Sequence, residues 1–206
     1  SYLNIMTDMT ASKEFKIPAY IMQGVSAILG FIVIPILFMI MYEKKSVNEF
    51  FIKKTTPLLI ALSAIIAITF SGVNSWFVEW NSTIQFPEMM SSFETYARGM
   101  EDRAIEMTKY FTEFETPGVF VLAFLIIAIV PGIGEELVFR GFLQKYFIKA
   151  YKNPHIAIWA SAIMFSAIHL QFYGFVPRML LGALFGYLYY WTGNLIIPIV
   201  AHVRSE

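Results

Sequence analysis

The sequence predicts an all-α protein, a polytopic transmembrane bundle of about six spans with one amphipathic extracytoplasmic helix. Composition is the first reason. Of 206 residues, 57% are apolar, 17% aromatic and 15% charged, against about 25% charged in soluble globular proteins. The distribution of charge is the second. Residues 17 to 42, 55 to 78, 116 to 134, 154 to 177 and 179 to 203 contain no Asp, Glu, Lys or Arg. About 20 apolar residues cross a bilayer as a helix, and Thr192-Gly193-Asn194 divides the last stretch. The predicted location is therefore integral membrane, multi-pass, which is the cell membrane if the source is prokaryotic, with membrane lipid as a partner.

The first span covers 17 to 42 and is too long for a signal-peptide core, so it is expected to be retained. The start at Ser1 suggests a processed or trimmed beginning. Lys44, Lys45, Lys53 and Lys54 follow, and the positive-inside tendency makes this loop cytoplasmic. A second span runs from about Pro57 to Phe77, with Trp76 and Trp80 as interfacial anchors. Residues 81 to 117, with seven acids against three bases, are then extracytoplasmic. Within them Met89, Phe93, Tyr96, Met100, Ala104, Met107 and Phe111 recur at helical spacing, which predicts a helix lying on the membrane or covering the bundle. A third span runs from Gly118 through Pro131-Gly132 and Glu135-Glu136 to about Tyr151. Asn153-Pro154 turns the chain into a fourth span over 155 to 171, a fifth over 173 to 191, and a sixth after Asn194. Arg178, near the start of the fifth, is expected to snorkel to the interface.

Several chemistries are excluded. Fifteen basic and fifteen acidic residues cancel, so no basic face points to nucleic acid. The absence of cysteine rules out disulfides, thiolate catalysis and cysteine-bound metal. Neither HExxH nor GxSxG occurs.

Carboxylates inside an apolar span are costly and mark function by default, a structural ion pair being the alternative. Glu136 precedes Arg140 by four residues, the favourable order for a pair on one helix face, which predicts a structural role. Glu135 points roughly 100° away and lacks that local partner, so it suits a general base or a proton relay. Glu135 precedes Asn153 by 18 residues and His169 follows it by 16. Both then lie about 25 Å from that turn, and His202 reaches their level if the first tip projects further into the cytoplasm than the second. Such a projection would bring the site nearer the cytoplasmic surface. His155 sits at the tip itself. The trio Glu135, His169 and His202 could hold a water and stabilise an oxyanion, or ligate zinc as two His and one Glu.

These motifs have a familiar order. Glu135-Glu136-Leu137-Val138-Phe139-Arg140 reads EExxxR and Phe165-Ser166-Ala167-Ile168-His169 reads FxxxH. With Gly182-Ala183-Leu184-Phe185-Gly186-Tyr187 and Pro198-Ile199-Val200-Ala201-His202, the chain resembles the CAAX protease and bacteriocin-processing (CPBP, or Abi) family of intramembrane glutamate proteases. The resemblance covers about residues 118 to 206, leaving 1 to 117 as N-terminal membrane helices and amphipathic segment without a usable motif. It implies a type II CAAX prenyl endopeptidase-like enzyme. Glu135 and His169 would activate water, His202 would help bind the oxyanion, Glu136 and Arg140 would support the site, and Phe165 would line it. The family pattern has Asn or Asp four residues beyond the last His, where this chain has Glu206. The catalytic core is thus expected to be incomplete at its C-terminus, and Glu206 receives no role.

The leading expectation is an endopeptidase that cleaves a membrane-associated peptide or lipidated protein with Glu-activated water and no metal, zinc being the alternative. A non-enzymatic immunity or scaffold protein and a proton-coupled transporter are the competing readings.

Overall fold

The computed structural model of the chain describes residues 15–205, so Glu206 lies outside the described residues. Helix α1 spans Lys16–Glu43, α2 Pro57–Ser82 and α4 Pro117–Tyr151. Between them α3 covers Ser91–Thr112, and α5 (Pro154–Ala167), α6 (Phe175–Thr192) and α7 (Ile196–Ser205) complete the order. The protein is an all-α integral membrane helix bundle, and apart from one antiparallel bridge between Phe51 and Asn194 the described residues form no β-structure.

Three helices begin with the same device. Thr56 Oγ1 accepts from the Leu59 N–H at 3.3 Å and Thr116 Oγ1 from the Val119 N–H at 3.3 Å. Asn153 Oδ1 accepts from His155 at 2.9 Å and Ile156 at 3.3 Å. Each cap precedes a proline at the first helical position, where no N–H is needed.

All six expected segments are helical, but among the described residues three, α1, α2 and α4, are long and apolar enough to cross a membrane. Helix α5 has 14 residues and α7 has 10, about 21 and 15 Å of rise. Neither reaches across a hydrocarbon core about 30 Å thick. The expected fourth span stops early because Leu170 takes a left-handed conformation (φ 55°) just past the helix end. That conformation cannot continue an α-helix. Helix α6, with 18 residues, carries Arg178 and several tyrosines.

The outer faces of α1 and α2 expose Ile21, Ile34, Ile65 and Val73. Such a continuous apolar surface is stable in lipid and a liability in water. Trp76 and Trp80 are also exposed, as interfacial anchors would be.

Close approach depends on glycine. A Cβ on Gly186 would sit 2.8 Å from Gln144 Oε1 and 2.9 Å from Ile158 Cγ2, so its absence lets α6 meet α4 and α5. A Cβ on Gly132 would sit 2.6 Å from Val203 Cγ2, so this position brings α7 against α4 beside the two glutamates.

The two ends of the bundle differ. At one, Lys145 Nζ donates to the Glu49 carbonyl at 2.6 Å, Asn194 Nδ2 to the Lys53 carbonyl at 2.7 Å, and the Leu195 N–H to the Phe50 carbonyl at 3.1 Å. The lysine-rich loops thus gather on one side. At the other end, α3 covers the bundle instead of lying apart from it. Tyr20 Oη donates to the Phe111 carbonyl at 2.5 Å, and Asn81 Nδ2 to the Phe172 carbonyl at 3.1 Å. Arg98 stands 4.5 Å from the Tyr173 ring centroid. The Phe86 N–H and Arg98 together hold the Glu94 carboxyl below the usual carboxylate range. The inward face includes Glu94, Ala97 and Glu101, whereas Met89 and Tyr96 of the expected apolar stripe are exposed.

Gly186→Val should destabilise the protein by about 1–3 kcal/mol through overpacking, measured as a lowered melting temperature in detergent. Gly30→Ala should not, because nothing lies within 4 Å of the added Cβ.

Candidate active site

Glu136 is fully buried and forms the centre of a polar cluster. Its Oε1 accepts from Arg140 Nη1 at 2.7 Å and from His202 Nδ1 at 2.8 Å. Arg140, itself 1% exposed, donates through Nη2 to the Gly182 carbonyl at 2.8 Å. Its guanidinium lies 4.8 Å from the Phe165 ring centroid and 5.4 Å from that of Phe185. This arrangement joins α4, α6 and α7 and agrees with the expected pairing of Glu136 with Arg140. The helical turns widen to π geometry at Leu137–Gln144, directly after the glutamates.

Glu135 faces a cavity of about 290 Å³, which His169 and His202 also line, together with Phe165 and Phe185. His202 Nε2 is 3.8 Å from Glu135 Oε2. One imidazole therefore bridges both carboxylates, with Nδ1 toward Glu136 and Nε2 toward Glu135. Because an ionised carboxylate can only accept, Nδ1 carries the hydrogen. The same reasoning applies to His169, whose Nδ1 lies 2.8 Å from the Phe165 carbonyl oxygen. Neutral His169 presents Nε2 as an acceptor, whereas a hydrogen on His202 Nε2 toward Glu135 requires the imidazolium. Phe185 stacks on His202 at 5.0 Å and 20°, and Phe165 meets the two imidazoles edge-on at 5.3 and 5.9 Å. His169 stands in the turn beyond α5, held by its N–H to the Ser166 carbonyl at 3.3 Å. His155 remains at the tip, where Nδ1 is 2.9 Å from Tyr187 Oη.

Glu135 and His169, placed at one depth by counting along the helices, and His202, which the count put there only if the first tip projects further, share one cavity. Its position in the bundle differs from the expected one near the cytoplasmic surface. Glu101 of α3 and Tyr173 and Gly174 of the α5–α6 turn line it, at the end opposite the lysine-rich loops. Helices α5 and α7 both start at the basic end and carry their histidines to this cavity.

Among the lining residues Asn74 and Glu101 carried no role in the sequence reading, and Arg178 was expected at the interface. Arg178 does not snorkel outward as expected. Its Nη2 donates to Gln171 Oε1 at 2.5 Å, and its charge acts on Glu101. Burial pushes the Glu101 carboxyl up, and Arg178 opposes that shift. An asparagine in a span and an arginine at its start are both intramembrane polar signals. Glu101 had no such signal, because it is one of seven acids in its segment.

Zinc needs ligands that converge on one point. Among the described residues no three His, Asp or Glu side chains form such a group.

Residues 117–204 match the Rce1-like family, described as type II CAAX prenyl endopeptidase Rce1-like. The matched segment begins with α4 and holds all of Glu135, Glu136, Arg140, Phe165, His169 and His202, and the family resemblance read from the motifs holds over it. Uncharacterized protein YpbD of Bacillus subtilis (strain 168) is 32% identical over 98 residues. That alignment covers 46% of this chain and 44% of the relative, so the chain spans less than half of the curated relative it matches. No solved structure matches the chain. Residues 117–204 are thus similar to the Rce1-like family, and the chain carries them on an integral membrane bundle.

Removing one partner of a buried ion pair leaves an uncompensated charge. Arg140→Ala should therefore destabilise the fold by about 3–5 kcal/mol, seen as loss of the folded fraction in a detergent melt. Arg140→Lys should recover part of the loss, since one ammonium cannot reproduce the planar fork that meets both Glu136 and the Gly182 carbonyl.

Proposed function

We propose that the protein is an intramembrane endopeptidase that hydrolyses a peptide bond of a membrane-associated substrate with water activated by Glu135. One observation carries the reading: a semi-buried carboxylate shares a cavity with two imidazoles from other elements, inside the segment that matches the Rce1-like family. A buried carboxylate can serve as base only if its proton has somewhere to go, and hydrolysis provides that route. A water between Glu135 and His169 gives one proton to Glu135 while its oxygen attacks the carbonyl carbon. His169 Nε2 accepts a hydrogen bond from the same water and orients it. As the tetrahedral intermediate collapses, the C–N bond breaks and Glu135 returns the proton to the leaving nitrogen. The Glu136–Arg140 pair holds His202 from behind and takes no part in proton transfer.

The reaction needs no metal, since Glu135 supplies the base and a peptide carbonyl needs only hydrogen-bond donors for its developing charge. The substrate is a peptide or lipidated protein held at the membrane, because the cavity lies among helices whose outer faces meet lipid. Positive-inside charge places the lysine-rich loops in the cytoplasm, so the cavity is reached from the extracytoplasmic side, beneath α3.

Glu135→Gln and His169→Ala should each abolish cleavage while leaving a folded protein in detergent. Mass spectrometry of membrane peptides from cells making wild-type or Glu135→Gln protein checks this, and identical peptide sets would refute the assignment. Activity should also persist after exhaustive chelation, measured on the peptide product so identified.

A further inference from the structure

The lysine-rich end of the bundle holds a second cavity, of about 390 Å³, which shares no lining residue with the cavity of Glu135. It lies between the end of α1, the turn at Val47–Phe50 and the last turns of α4. Aromatic packing shapes it. A Cβ on Gly141 would sit 2.9 Å from Phe50 Cε1, so glycine at this position lets the Phe50 ring lie against α4, where it meets Phe142 edge-on at 5.3 Å. The turn is thereby fixed to α4.

Three ammonium groups line the cavity: Lys45, Lys145 and Lys149. Lys145 is partly buried and donates one hydrogen to the Glu49 carbonyl at 2.6 Å, with its charge over the Phe50 and Tyr189 rings at 4.8 and 5.7 Å. An ammonium has three hydrogens, so two are left for a ligand. Lys149 is exposed, and its ammonium makes no hydrogen bond or ion pair among the described residues. Glu43 and Glu49 also line the cavity, and Lys45 pairs with Glu43 at 3.0 Å. That pair is exposed, and such pairs exchange partners at little cost. With three lysines against two glutamates, the lining has one positive charge in excess. Lys44, Lys53, Lys54 and Lys152 stand around it, and residues 43–56 and 145–153 contain no further acid. The field at this end therefore favours an anion.

The rim decides which anion. Tyr146 of the lining is 68% exposed, and Met41 and Tyr42, between the lining residues Met39 and Glu43, are exposed as well. From there the apolar outer face of α1 continues through Phe38 and Leu37. A water-soluble anion gains nothing from such a rim, whereas a phospholipid sets its phosphate among the ammonium groups and its chains along the helix. Basic cavities between helices on the cytoplasmic side hold anionic head groups in this manner, and lysine meets phosphate as a point charge.

We propose that this cavity binds the phosphate-bearing head group of an anionic phospholipid of the cytoplasmic leaflet, with the acyl chains lying along the exposed face of α1. The site holds whether or not Glu135 is a catalytic base, and it gives a role to the N-terminal half of the chain, which the family match does not reach.

The test uses the full chain in detergent, titrated with phosphatidylglycerol and followed by native mass spectrometry. Wild type should retain one phosphatidylglycerol in preference to phosphatidylcholine with the same chains. Lys45→Gln combined with Lys149→Gln should weaken that binding by about tenfold or more. Lys53→Gln combined with Lys54→Gln removes the same charge at the same end but outside the cavity, and should bind as wild type does. All four lysines are exposed, so both double variants should fold normally. Equal losses in the two double variants would show attraction by surface charge alone and would overturn the site. Equal retention of the two lipids by wild type would overturn it too. Glycerol 3-phosphate should not displace the bound lipid, and displacement at matched concentration would show a site for free phosphate esters and end the lipid assignment.

Discussion

The ion pair between Glu136 and Arg140 is the constraint on which the rest of this structure depends. Neither group reaches water, so each is tolerated only while the other is in place. Arg140 must also satisfy its remaining donors, which it does partly on the Gly182 carbonyl. Glu136 must satisfy its remaining acceptors, which it does partly on His202. The desolvation cost thereby becomes a positioning force. Helix α6 has to approach closely enough to present a carbonyl, and α7 has to turn an imidazole inward. Once both have done so, His202 Nε2 has no choice but to face Glu135.

That coupling explains where the small residues lie. Gly182 offers its carbonyl to Arg140, and a Cβ there would meet Phe165 Cδ1 at 3.0 Å. Gly132 does the same for α7 against α4. In lipid no hydrophobic gain drives helices together, so close packing and interhelical hydrogen bonds must do so. The aromatic rings then exclude water from the pair: Phe165 and Phe185 flank the guanidinium and also contact the histidines. The same two side chains serve stability on one side and the cavity on the other.

The N-terminal half is joined to this arrangement through contacts at the far end of the bundle. Asn81, Tyr173 and Phe172 tie the segment after α2 to the turn that carries His169. Helix α3 therefore forms a cover whose Glu101 enters the cavity wall. Its amphipathic pattern was visible, yet periodicity alone could not say whether its apolar face met lipid or protein, nor which acid would be drawn inward.

The sequence by itself determined the solvent: five charge-free runs cannot be soluble helices, and the length of a helix against the thickness of a bilayer requires a membrane bundle. It also determined the pairing of Glu136 with Arg140, because four residues is one helical turn, and the common depth of Glu135 and His169, because rise per residue is constant. Tertiary structure decided what no count along the chain contains. Helix α5 ends at Ala167 because Leu170 is left-handed, so fewer helices than expected are long enough to span. Asn74, Glu101 and Arg178 reach the site from segments distant in sequence, and Arg178 turns inward. A side chain's facing depends on which helix packs against it, and that choice rests on glycine contacts and buried hydrogen bonds made between segments far apart in the chain.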